Sequence, residues 1–211
     1  MLTLSRRYHE TLRNQQKRRW RQLAGRSLVG KTVGIAGMGY VGCAAARNAR
    51  ALGMRVVGLC RSIDDSNGIE LTDEVASTTD MTEALGNLDF LVICLPVTSQ
   101  TRQLFGPDEI AALKPGAIIV NAARESIVDY RALSGALKNG HIGGAALDVF
   151  DKEPLSRRSP LWKNENVLVT PHVGAFTKDY KAKVGELVCD NIERFLDKRP
   201  LRCVVDRNKG Y

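Results

Sequence analysis

The segment KTVGIAGMGYVG, from Lys31 to Gly42, constrains this chain more than any other stretch. Its apolar run Val33, Gly34, Ile35 and Ala36 has the length of a buried strand and ends in Gly37, Gly39 and Gly42, a GxGxxG turn. The first two glycines let the backbone turn tightly and approach a pyrophosphate. Gly42 lets the following helix pack closely on the strand, with its N-terminal amides toward the phosphates. Behind the turn, AAARNARAL is a run of good helix formers that stops at Gly53. Strand, turn and helix in this order predict a phosphate-binding unit rather than a purely structural glycine turn.

A chain of 211 residues with 44% hydrophobic composition has the material for a sizeable α/β core. Its longest apolar runs, such as Phe90 to Leu95, are too short to cross a bilayer, and arginines occupy the N-terminus where a signal peptide needs apolar residues. A cytoplasmic protein with no membrane association is expected. Cys43, Cys60, Cys94, Cys189 and Cys203 are scattered, without CxxC pairing or zinc-finger spacing, so reduced thiols and no metal site are expected. The net charge of +8 is concentrated in residues 1–31, which hold nine Lys or Arg against Glu10 alone. That stretch reads as a basic helix with Tyr8, Leu12, Trp20 and Leu23 as an irregular apolar stripe, an interface or solvated helix rather than a nucleic-acid site.

Along the chain, residues 54–60 read as a second buried strand, with Arg61 and Ser62 where a Rossmann domain places its ribose-reading side chain. An acidic residue there would bond a ribose 2′-hydroxyl and repel a 2′-phosphate. Arg61 and Ser62 instead suit the 2′-phosphate, which favours NADP over NAD, with Asp64 and Asp65 close by. A short strand near Ile69 to Leu71 is expected, then a helix over MTEALGNL capped by Thr79 or Asp80. DFLVICLP, AIIVNAA, IGGAALDVF and NVLV follow as strands, with helices at 107–113, around Leu133 and Leu137, and over 177–196. Uninterrupted apolar runs alternating with helices predict an α/β fold: a Rossmann-type doubly wound parallel sheet, flanked by an N-terminal and a C-terminal helix. The expected divisions are a basic interface arm at 1–27, a dinucleotide-binding domain at 28–176, and a C-terminal helix and tail at 177–211.

Arg124, Glu153 and His172 each follow a predicted strand end, on the edge where the glycine turn would hold a cofactor. An arginine can grip a substrate carboxylate and polarise a carbonyl, and a histidine can exchange a proton with the carbonyl oxygen as hydride reaches the carbon. A carboxylate touching the imidazole would favour its protonated form. His9 and His141 lie in contexts that suggest no chemistry.

The motifs GKTVGIAGMGYVG, LPVTSQTRQL, LKPGAIIVNAARESIVD, GGAALDVFDKEPL and VTPHVGAFT, in this order, resemble those of the D-isomer-specific 2-hydroxyacid dehydrogenases. The resemblance runs from about Leu28 onward. It implies catalytic roles for Arg124, Glu153 and His172. It also implies dinucleotide contacts at Pro96, Thr101 and Asp148; together with Gly37, Gly39, Tyr40, Val41 and Gly42 of the turn, Arg61 and Ser62, and Leu95, Ala122, Ala123 and Ala175, these make up the expected cofactor site. Two departures stand out. Glu125 occupies a position where the family usually has glycine, and the N-terminal segment that builds most of the family's second domain does not precede residues 1–27, which resemble the helix that helps form the relatives' dimer interface.

These readings imply an oxidoreductase that moves a hydride between NAD(P) and a small D-2-hydroxy acid or 2-oxo acid, as a homodimer. A non-enzymatic dinucleotide-binding sensor or interaction module is the alternative, and nucleic-acid binding through residues 1–31 ranks last.

Overall fold

The computed structural model describes residues 1–61, 68–207 and 210, so Ser62, Asp64 and Asp65 lie outside the described residues. The chain divides into two compact units, Met1–Pro171 and His172–Tyr211. The first is built on a seven-stranded sheet with every pairing parallel, in the order β3-β2-β1-β4-β5-β6-β7. The strands are β1 (Thr32–Ala36), β2 (Arg55–Cys60), β3 (Glu74–Ser77), β4 (Phe90–Ile93), β5 (Ala117–Asn121), β6 (Ile142–Leu147) and β7 (Val167–Val169).

Strand alternation sorts the apolar side chains onto two faces. Val33, Ile35, Val56, Phe90, Val92 and Ile118 join one core, which is closed by Ala46 and Ala49 of α3 (Tyr40–Ala51) and by Leu4 of α1 (Leu2–Ser5). Their neighbours Val57, Leu59, Leu91, Ile93 and Ile119 join the other. That core is closed by α4 (Thr82–Gly86), α5 (Pro107–Ala112) and α6 (Tyr130–Lys138) through Leu85, Ile110, Leu133 and Leu137. Each large aliphatic side chain so buried contributes about 1.5–3 kcal/mol, which is why the strands read as continuous apolar runs. Local chemistry starts the helices. Pro107 opens α5 behind Gly106, and Asp129 caps α6 by accepting from the Arg131 and Ala132 amides at 2.8 and 2.9 Å. Such a cap contributes about 1 kcal/mol.

Three local expectations are corrected. The basic segment is not one helix through residue 27: α2 (Tyr8–Gln16) follows a left-handed break at Arg7 (φ 54°), and Lys17 ends it, with Arg18 again at φ 53°. Arg13 and Lys17, like charges four residues apart at its end, disfavour a further helical turn. Ile69–Leu71 is a 3-10 turn, and the strand comes later at Glu74–Ser77, as a short, half-exposed edge. Finally, α4 starts at Thr82 after Met81, with no side-chain cap from Thr79 or Asp80.

The second unit contains α7 (Tyr180–Leu196), whose Asp179 pairs with Lys183 and whose Arg194 pairs with Asp190 at 2.9 Å. The expected apolar stripe is present, and Val184, Val188, Ile192, Phe195 and Leu196 are all exposed. No helix is long and apolar enough to cross a membrane among the described residues.

Candidate functional site

Strand order runs leftward from β1 to β3 and rightward from β4 to β7, so the chain reverses direction between the adjacent strands β1 and β4. At such a switch point the connections leave in opposite directions and open a crevice at the carboxyl ends of the strands. The glycine turn sits there. Gly37, at φ 95°, is so close to the exit of β4 that a β-carbon would stand 3.0 Å from Leu95 Cδ2 and 3.1 Å from the Cys94 backbone. A β-carbon on Gly42 would stand 1.9 Å from the Gly37 carbonyl oxygen, so α3 can approach the turn only with glycine at this position. Gly39 is different. Its φ of −79° suits any residue, and an added β-carbon would meet nothing within 4 Å. Fold packing therefore does not demand glycine there, whereas a group lying against the backbone, such as a pyrophosphate, would. The adjoining side chains Tyr40 and Val41, 88% and 67% exposed, border this space in the first turn of α3. The chain thus fits a dinucleotide.

Across the crevice, Arg61 at the end of β2 donates from Nη1 to Gln100 Oε1 at 3.0 Å, bridging to the loop after β4. That loop closes on itself: Thr101 Oγ1 donates to the Pro96 carbonyl at 2.7 Å and accepts from the Thr98 amide at 2.8 Å. Burial of the Cys94 thiol behind it pushes its pKa up to about 11, so it stays neutral.

Beyond β5, Ala122 is exposed, and the Ala123 amide donates to Asn121 Oδ1 at 3.1 Å. Arg124 is exposed and extended, its Nη1 on the Ala123 carbonyl at 2.7 Å. Asp148, buried at the exit of β6, accepts from Thr170 Oγ1 at 2.5 Å. Glu153 is folded back so that its Oε1 accepts from the Phe150 amide at 3.0 Å. The segments carrying Arg124 and Glu153 converge on the Tyr130 hydroxyl. Burial raises its pKa well above the ordinary phenol range; its hydrogen bond with Asn121 opposes this, and the carboxylates of Glu125, Asp151 and Glu153 add to the rise. Those three carboxylates from two loops therefore lie within electrostatic reach of one hydroxyl.

His172 and Ala175 belong to the second unit. His172 is exposed and holds a left-handed φ of 54° directly after Pro171. A conformation of this kind costs a residue with a β-carbon about 1–2 kcal/mol and is found disproportionately at functional sites. Ala175 is exposed, its carbonyl accepting from the Thr177 amide at 3.1 Å.

Sequence reasoning missed Asn121, Tyr130, Gln100 and Thr170, whose side chains hold these loops. Only Asn121 left a trace, as the polar residue that closes the apolar run of β5.

The family model described as D-isomer specific 2-hydroxyacid dehydrogenase, NAD binding domain, matches residues 1–174. The chain is 36% identical over 202 residues to a D-3-phosphoglycerate dehydrogenase of Methanocaldococcus jannaschii, covering 93% of this chain and 37% of that protein. With a glyoxylate reductase of Thermococcus kodakarensis it shares 38% identity over 192 residues, 89% of this chain and 56% of the relative. It therefore spans between about a third and three fifths of these curated relatives. Among solved structures, an NADPH-dependent glyoxylate/hydroxypyruvate reductase of Sinorhizobium meliloti, in complex with NADP and sulfate, superposes with a TM-score of 0.87 at 35% identity, covering 100% of this chain and 66% of that one. A D-isomer specific 2-hydroxyacid dehydrogenase of Xanthobacter autotrophicus, in complex with NADPH and MES, gives 0.84 at 34% identity, with 100% and 85% covered. With a strand order, a glycine turn and a family match in agreement, the chain belongs to the D-isomer specific 2-hydroxyacid dehydrogenase family.

Proposed function

We propose that this chain binds NADP, or less readily NAD, in the β1–β4 crevice and serves the interconversion of a small 2-oxo acid and its D-2-hydroxy acid. The observation that carries this reading is Gly39, a glycine the fold does not need, at the switch point between the other two glycines. When bound, the dinucleotide would supply the hydride. The glycine turn and the N-terminal amides of α3 would hold its pyrophosphate, and Leu95, Pro96, Thr101, Ala122, Ala123, Asp148 and Ala175 are assigned to the remaining contacts. Arg61 is the residue toward a 2′-phosphate, because a guanidinium pairs with phosphate and no carboxylate occupies its position.

Three side chains are assigned to the chemistry. Arg124 grips the substrate carboxylate with its planar fork and draws charge from the carbonyl. His172 gives the proton to the carbonyl oxygen in reduction and removes it in oxidation. Glu153 is assigned as the carboxylate of the same set. Titrating NADPH and NADH into the protein, then following their oxidation with glyoxylate and hydroxypyruvate, tests the reading. Arg124→Ala is expected to bind dinucleotide normally and to lose about 100-fold or more in kcat/KM. Arg61→Ala is expected to lose about tenfold in NADPH affinity alone. Absence of dinucleotide binding, or turnover indifferent to Arg124→Ala, overturns the proposal.

We further place the protein in the cytoplasm, where the dinucleotide pool is found, and propose a homodimer. In support of the dimer, Trp20 of the basic arm is 96% exposed, and Phe195 and Leu196 of the α7 stripe are 72% and 73% exposed. Elution as a monomer in size-exclusion chromatography would refute it.

A further inference from the structure

The NAAR segment and the segment that ends in Glu153 are tied together by a line of hydrogen bonds that uses no charged pair. It starts at the Arg124 carbonyl, which accepts from Asn121 Nδ2 at 2.9 Å. The same Nδ2 lies 3.3 Å from Tyr130 Oη, which accepts its second hydrogen. Tyr130 Oη then donates to the Val149 carbonyl at 2.7 Å. Val149 C=O and Phe150 N–H belong to one peptide plane, and that N–H donates to Glu153 Oε1 at 3.0 Å.

We infer that Tyr130 is a positioning residue: its hydroxyl fixes the Val149–Phe150 peptide plane, and through that plane the carboxylate of Glu153, in register with the backbone of Arg124. That this register serves catalysis rests on the function proposed above; the register itself does not.

Three physical points support the assignment. A peptide that receives a hydrogen bond on its oxygen becomes a stronger donor at its nitrogen, so the Tyr130 bond reinforces the Glu153 bond. Asn121 is fully buried, and Val149 and Phe150 are 1% and 5% exposed, so water is poorly placed to substitute for a lost member of the line. Burial keeps the phenol protonated far above neutral pH, so the donor persists over the range in which an enzyme works.

A tyrosine could equally be present for its ring. Tyr130 packs edge-on against Phe150, with centroids 6.5 Å apart and planes at 81°. Tyr130→Phe separates the two roles, because it keeps the ring and deletes only the oxygen.

The test is amide hydrogen exchange on wild type, Tyr130→Phe and Leu133→Val, the last loosening α6 from its buried face without touching the line. In Tyr130→Phe, exchange at the Phe150 and Ala123 amides is expected to quicken by about tenfold, while Leu133 and Leu137 in α6 stay within about twofold. Leu133→Val should show the reverse pattern. Unchanged Phe150 exchange in Tyr130→Phe, or quickening spread evenly over α6, overturns the inference. On the NADPH-dependent reduction of glyoxylate, Tyr130→Phe should lower kcat by about tenfold with an unaltered KM for the dinucleotide. An unaltered kcat in an active wild type also overturns the positioning role. If the wild type binds dinucleotide but reduces none of the oxo acids, the proposed reaction fails, while the exchange data still decide whether Tyr130 sets the register.

Discussion

The two edges of the sheet are held together by different chemistry. At the amino edge, charges meet charges. Asp89 accepts from the Thr32 amide at 3.0 Å and pairs with Lys114 at 2.9 Å and Lys31 at 3.7 Å; Arg55 meets Glu74 at 2.7 Å, and Arg50 meets Asp73 at 3.0 Å. A cavity of about 310 Å³ at this edge, bordered by Thr32, Arg55 and Glu74, has its charged groups engaged with one another. At the carboxyl edge the loops are held largely by neutral dipoles: Asn121, Tyr130, Thr98, Thr101 and backbone amides. The contrast has a physical reason. An edge proposed to receive an anionic dinucleotide is better shaped by groups without net charge, which do not repel the ligand.

The sharpest way to break the comparison is to make the same steric error on both edges. A β-carbon on Gly42 would meet the Gly37 carbonyl at 1.9 Å, and one on Gly143, near the amino end of β6, would meet the Gly116 carbonyl at 2.6 Å. Both Gly42→Ala and Gly143→Ala are expected to destabilise the fold, by about 2–4 kcal/mol in urea melts. Only Gly42→Ala should also reduce NADPH affinity, by about 100-fold or more in calorimetry at a temperature where both variants are folded. Equal affinities would mean that the turn does not hold the dinucleotide.

A smaller effect is expected at Asp89. Burial favours its neutral form, but the Thr32 amide and then the Lys114 and Lys31 ammonium groups outweigh this and hold its pKa below the ordinary carboxylate value of about 3.9. A depressed folded-state pKa means that the stabilisation is complete above the unfolded value and is lost as pH falls through the folded one. Asp89→Asn should therefore lose about 1–2 kcal/mol at pH 7, with the gap from wild type closing below about pH 4 and dinucleotide affinity unchanged. The smallest change belongs to Arg55→Ala. Its ion pair with Glu74 is exposed on both sides, 57% and 47%, and its loss should alter the melt by no more than about 0.5 kcal/mol.

What could be read from the sequence follows the same divide between backbone demands and assembled contacts. The strands were legible because both faces of a parallel sheet are buried, and even the three-residue β7 sits in the predicted NVLV run. β3 was not, since Glu74, Val75, Ala76 and Ser77 form an edge only half withdrawn from solvent and carry no continuous apolar run. The glycine turn was legible because close approach restricts residue type at fixed spacing. Asn121 and Tyr130 were hidden because their partners are carbonyls brought near by folding, and a carbonyl has no letter in the sequence. Arg124 and Glu153 were visible as residue types, but the line that fixes one against the other was not.

Strand order has a last implication, for what mutation and drift can do to this molecule. The hollow between β1 and β4 is a consequence of how the chain is wired, since neighbouring connections depart to opposite sides. No single residue creates it, and so no single replacement removes it; substitutions can only obstruct its floor or change what it prefers to hold. A lineage can thus retune its ligand repeatedly while inheriting the same vacancy.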